Sequence, residues 1–124
     1  MIRRVAMATV LIALVGCISH LTTPREYVLF FPINDATVTP EAQDVVAQIA
    51  GAAREARPSK IVIEGQADGG TAHDATLADE RADTVLHALV SAGTAASSID
   101  KTPSAPAREI TGVAAHKVKV TLFP

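Results

Sequence analysis

The order of hydrophobic periods along the chain predicts an α+β domain with the element order β-α-β-α-β-β. Three observations carry this expectation. Two long stretches, Pro40 to about Ala56 and near Asp74 to about Ala92, repeat apolar residues at helical spacing. A short apolar run, Ile61-Val62-Ile63, reads as a buried strand stopped by Gly65. Near the end, Val118, Val120 and Leu122 alternate with Lys117, Lys119 and Thr121, which suits a strand with one buried and one wet face.

Each element has its own local reasons. Glu26–Ile33 (EYVLFFPI) is rich in β-branched and aromatic residues, and Pro32 closes it or marks a sheet edge. Thr39-Pro40-Glu41 starts the first helix with a threonine cap, a proline at the first helical position and an early acid. Its apolar stripe comprises Val45, Val46, Ile49, Ala52 and Ala53, and Pro58 ends it. The second helix is expected to bury Leu77, Ala78, Ala82, Val85, Leu86, Leu89 and Val90. Asp79, Glu80, Asp83 and His87 then form a solvated face, and Gly93 stops the helix. A short strand is expected over 97–101, followed by the loop Thr102–Ala107.

At 124 residues there is room for one domain. Apolar residues make up 48% of the chain and aromatics only 3%, so the core must be aliphatic. The formal charge of −2 includes Arg3 and Arg4; setting those two aside leaves about −4. An acidic domain without basic-aromatic interleaving argues against nucleic acid.

Residues 1–16 read as a targeting segment. Arg3-Arg4 precedes the apolar run Val5–Val15, which is too short for a spanning helix of roughly 20 residues and fits a secretory signal. Leu14-Val15-Gly16-Cys17 is similar to the bacterial lipobox, making Cys17 the expected lipidation site; as the single cysteine it permits no internal disulfide. Residues 17–25 then hold the lipidated cysteine and a short linker, and 26–124 the folded domain. The eight residues Ile18–Arg25 span at most about 26–29 Å when extended.

The candidate chemistry lies between residues 60 and 85. Asp68 follows the exit of a strand, and Arg81 falls two to three turns into the next helix. Strand exits and the loops beyond them are where open α/β sheets place ligands. A carboxylate facing a guanidinium across a small cleft suits a zwitterion, an ammonium and a carboxylate on one carbon. The planar fork of arginine takes both oxygens of a carboxylate. The alternative is that Asp68 and Arg81 pair with each other and pin the loop to the helix.

This block resembles the OmpA-like peptidoglycan-associated domain. The family pattern is a strand, G-H-T-D, a variable loop and N-x-x-L-S-x-x-R-A-x-x-V. The chain has Gly65-Gln66-Ala67-Asp68 and then Asp74, Leu77, Ala78, Arg81, Ala82 and Val85 in the corresponding places. Phe31–Pro40 is also similar to the family's opening strand, polar loop and T-P-E helix start. The resemblance implies a mixed sheet with two helices packed on one face, joined by right-handed crossovers. It also implies that Asp68 binds the ammonium of diaminopimelate in the peptidoglycan stem peptide and Arg81 the neighbouring carboxylate.

Asn34, Asp74 and His116 are further ligand candidates by the same resemblance. Asp74 stands where the family has asparagine, which adds negative charge near Asp68 and favours an ammonium over a carboxylate. Ala115-His116-Lys117-Val118 stands where the family closes on N-R-R-V, so a histidine, His116, takes the place of an arginine. His20, His73, His87 and His116 lack metal-ligand spacing, no metal or other cofactor is indicated, and no nucleophile-base motif suggests a reaction.

The sequence therefore points to an outer-membrane lipoprotein on the periplasmic face. The lack of an aspartate after Cys17 fits that membrane in the lipoproteins it resembles. Its expected partners are the peptidoglycan stem peptide and the membrane holding its lipid. The alternative is a structural subunit of a multiprotein envelope complex, such as a type IV secretion core, carrying a degenerate domain.

Overall fold

A computed structural model describes residues 22–67, 72–102 and 116–124. Four strands and two helices follow the expected order: β1 (Arg25–Phe30), α1 (Pro40–Ala56), β2 (Lys60–Gly65), α2 (Ala72–Ser91), β3 (Ile99–Thr102) and β4 (Lys117–Phe123). The strands form one mixed sheet in the order β1-β4-β2-β3. The last strand inserts between the first two and runs antiparallel to both, while β2 and β3 are parallel.

Alternation along the strands decides which face is covered. Leu29, Ile61, Ile63, Ile99, Val118, Val120 and Leu122 are buried in one aliphatic core with Val46 and Ile49 of α1 and Val85 and Leu89 of α2. Both helices therefore cover the same face, as expected. Lys119, Glu64 and Phe30 turn to the other face, where Phe30 remains 53% exposed. Among the described residues, no helix is long and apolar enough to cross a membrane.

The helix ends follow the local chemistry. Thr39 Oγ1 accepts the Ala42 N–H at 3.2 Å and Pro40 opens α1. Arg57 closes it in the left-handed region at φ 47°, donating its N–H to Ala53. Gly93, at φ 101°, ends the α2 region, where the Thr94 N–H reaches the Leu89 carbonyl at 3.0 Å.

Several boundaries and faces differ from the sequence expectation. β1 stops at Phe30, short of Ile33, because Pro32 has no N–H for the ladder; Phe31 makes the last bond, to the His116 carbonyl at 2.7 Å. Residues 96–98 wind into a single 3-10 turn before β3, which starts at Ile99. On α2, Val90 stays 39% exposed while Arg81 is fully buried. The expected wet face of α2 is partly tied down, since Lys101 reaches Asp79 at 2.7 Å and Asp83 at 2.8 Å. The segment 1–21, with Cys17, and most of the loop after Thr102 lie outside the described residues.

Gly65 sets the distance between β2 and α2. A Cβ there would run into the Ala78 carbonyl oxygen on α2 and crowd the Ala82 methyl. The backbone of the strand end thus touches the backbone of the helix, which brings Arg81 under the loop after β2. Gly65→Ala is expected to lower unfolding free energy by about 1–3 kcal/mol through overpacking. A urea midpoint equal to that of the wild type would show that the close approach is not required.

Candidate functional site

The sequence gives Arg81 a position on the apolar side of α2, one turn after Leu77 and one before Val85. Its guanidinium is consequently carried inwards, and none of the side chain is exposed. An arginine cannot shed its charge at accessible pH, so burial demands hydrogen-bond partners. Three backbone carbonyls supply them. Nε donates to Asp35, Nη1 to Gln66 and Nη2 to Pro32, each at 2.9 Å. The guanidinium also lies 5.7 Å from the centre of the Phe31 ring. Its interactions extend beyond these contacts.

This arrangement differs from an arginine displayed in an open cleft. One side chain of α2 fastens the β1–α1 loop, through Pro32 and Asp35, to the segment leaving β2, through Gln66. Hydrogen bonds to charged donors contribute about 1.5–3 kcal/mol each, so the three bonds outweigh most local terms in these loops.

The loop it holds is shaped by its own residues. Asn34 adopts φ 52°, and the Asp35 N–H returns to the Pro32 carbonyl at 3.3 Å. Asp35 Oδ1 accepts the Thr37 N–H at 2.8 Å. Hydrogen bonding from Thr37, side chain first and then backbone, holds the Asp35 carboxyl below its ordinary value, and the Arg81 charge adds a smaller effect in the same direction.

Asn34 is exposed on this loop. Asp74 is half-buried in the first turn of α2, where a carboxylate is favoured by the helix N-terminus. His116 is buried, with 7% exposure, just before β4. Its carbonyl accepts the main-chain N–H of Phe31, whose ring faces the Arg81 guanidinium. Arg81 and His116 are thus connected through Phe31, and Asn34 shares the loop that Arg81 holds. Asp68 lies outside the described residues.

Residue-type reasoning passes over Pro32, Asp35 and the main chain of Gln66, which contribute backbone carbonyls that carry no side-chain signature. It also passes over the Gln66 side chain. Its Oε1 is buried and has no hydrogen-bond partner among the described residues, and the same residue's carbonyl is the one that Arg81 engages. An unsatisfied buried acceptor costs about 1–3 kcal/mol, which an incoming N–H donor would offset. Among the described residues, no group of three or more acids, histidines or cysteines is placed to hold a metal ion.

The OmpA family model matches residues 30–117, which spans the Arg81 loops and both helices. Outer membrane protein P5 of Haemophilus influenzae is 32% identical over 91 residues, covering 72% of this chain and 26% of that protein. The chain thus spans about a quarter of that relative's length. The OmpA-like domain of FopA1 from Francisella tularensis subsp. tularensis SCHU S4 superposes with a TM-score of 0.70 at 15% identity, covering 82% of this chain and 73% of that one. The cell wall anchor of the T6SS from Pseudomonas aeruginosa gives 0.66 at 17% identity, with 83% of each chain covered. The peptidoglycan-associated lipoprotein from Burkholderia pseudomallei gives 0.60 at 18% identity, covering 77% of this chain and 87% of that one.

Two outcomes follow from this geometry. Arg81→Met should lower unfolding free energy by about 3 kcal/mol or more, since it removes three part-buried hydrogen bonds from a charged donor; a loss under 1 kcal/mol in urea denaturation would contradict the fastening role. The depressed Asp35 carboxyl stabilises the fold above its unfolded value of 3.8, and that contribution disappears as pH falls through the lower folded value. Stability measured from pH 5 to pH 2 should therefore fall less steeply in Asp35→Asn than in wild type.

Proposed function

Because the chain belongs to the OmpA family, we propose that it is an outer-membrane lipoprotein that binds peptidoglycan non-covalently and ties the membrane to the cell wall. The single observation that carries this reading is that Arg81 of α2 is fastened to the Gln66 carbonyl at the exit of β2, two residues before Asp68. Asp68 receives the ammonium of the diaminopimelate residue. The carboxylate on the same carbon competes for donors of Arg81, which stays charged at every relevant pH. The Gln66 Oε1 offers a second acceptor to an N–H of the stem peptide. Asn34, Asp74 and His116 border the ligand. The names of two structural neighbours, a peptidoglycan-associated lipoprotein and a cell wall anchor, support the assignment.

The lipid is carried by Cys17, and Ile18–Arg25 forms the tether. Extended, those eight residues reach about 26–29 Å. The chain enters β1 at Arg25, which pairs with Leu122 at the far end of the sheet from Gly65. The wall-binding end therefore points away from the membrane, and the length of the domain adds to the reach of the tether.

A second reading has a specific observation in its favour. Arg81 is already engaged by three carbonyls, as suits an organising residue in a structural subunit of an envelope complex such as a type IV secretion core. The two readings separate in extraction. Wall binding gives co-sedimentation with purified sacculi alone, whereas the subunit reading gives a large detergent-stable complex and no sacculus binding.

Asp68→Ala should lower sacculus binding at least tenfold while leaving the circular dichroism spectrum unchanged. Arg81→Lys, which keeps the charge but loses the fork, should weaken binding as well. Wild-type binding by Asp68→Ala would sink the wall-anchor reading.

A further inference from the structure

At the pole opposite Arg81 lies a cavity of about 200 Å³ that the wall-binding reading does not use. Arg54, Arg57, Pro58, Ile61, Gly93 and Thr94 are among the residues that line it. The six residues of β2 separate it from the Arg81 loops, a distance of about 20 Å at roughly 3.3 Å per residue.

Two features suit it to an oxyanion. Arg54 and Arg57 both border it, and among the described residues neither guanidinium has an acidic or hydrogen-bond partner. The hydroxyl of Thr94, a lining residue, is buried and has no hydrogen-bond partner among the described residues. The C-termini of α1 and α2 oppose an anion here, at roughly −0.5 elementary charge each. Two guanidiniums outweigh them. Glu55 is the nearest acid in sequence, and it is exposed and does not line the cavity.

The position of the cavity indicates the source of the anion. Register pairs Arg25 with Leu122 and Lys60 with Phe123, so the starts of β1 and β2 share one end of the sheet. Arg54 and Arg57 line the cavity at the end of the sheet where the proposed Cys17 tether enters the domain, in a chain whose net charge is −2. Both cavity arginines thus sit on the pole that the proposed tether keeps within about 30 Å of a membrane surface.

We propose that this cavity binds the phosphate of an anionic phospholipid headgroup and seats the tethered domain on its own membrane. Arg54 and Arg57 bind the phosphate oxygens, because guanidinium forks match phosphate geometry and lose little hydration in doing so. Thr94 donates to a third oxygen. The proposal rests on the lipid tether in the preceding reading but not on the wall site. A domain seated in this way presents its Arg81 pole outwards.

The test uses the full chain in uncharged maltoside micelles, titrated with dihexanoyl phosphatidylglycerol, dihexanoyl phosphatidylcholine or inorganic phosphate. Amide NMR shifts of Gly93, Thr94 and Ala95 report occupancy. Saturable shifts are expected with phosphatidylglycerol, with affinity lowered at least tenfold in Arg54→Ala/Arg57→Ala and also lowered in Thr94→Val. Sacculus binding should persist in the double arginine variant, so that failure here is distinguishable from failure of the wall-binding reading. Absence of shifts, or shifts unaffected by removing both arginines, would overturn the site. Equal affinity for inorganic phosphate would overturn the lipid assignment.

Discussion

A permanently charged group with no exposure to water dictates the layout of one end of this domain. The Arg81 guanidinium must find acceptors wherever α2 carries it, and it finds three main-chain carbonyls from two separate connections. The bare Cα of Gly65 lets α2 pack against the end of β2, and the left-handed turn at Asn34 bends the β1–α1 loop back over the helix. Removing any one of these leaves either a buried charge or buried carbonyls unsatisfied, and both are expensive.

The sheet converts that local constraint into polarity. Since β4 lies between β1 and β2 and opposes both, β1 and β2 point the same way. Their exits, with the loops fastened by Arg81, lie at one end; their starts, with Arg25, Lys60 and the arginine-lined cavity, lie at the other. The proposed membrane tether and the proposed peptide site thus fall at opposite ends of the sheet, the arrangement that bridging two surfaces requires. The aliphatic core between the ends is shared by both helices and gives the bridge stiffness.

Much of this was legible in residue order. The Thr39-Pro40 start, the Gly93 stop and the alternation of Val118, Val120 and Leu122 each state a backbone preference that tertiary packing reinforces. Other features depend on contacts that pattern does not encode. Val90 is exposed despite its place in the apolar repeat of α2, and β1 stops early because Pro32 cannot extend the ladder. At the candidate site, Arg81 itself was visible, but its environment was not. Its partners are carbonyl oxygens, which every residue possesses, so no residue type announces them. The Gln66 acceptor was equally silent, because a glutamine at a strand exit reads as solvated until burial is known.

The fastening of the loops by Arg81 is tested most directly by hydrogen exchange at its Nε–H, observed in the arginine region of a ¹⁵N-resolved NMR spectrum and assigned by its loss in Arg81→Lys. An Nε–H bound to the Asp35 carbonyl and shielded from water should exchange at least a hundredfold more slowly than those of exposed Arg54 and Arg57. Exchange as fast as that of the exposed arginines would contradict it, for the guanidinium would then be in solvent and the loops held by something else.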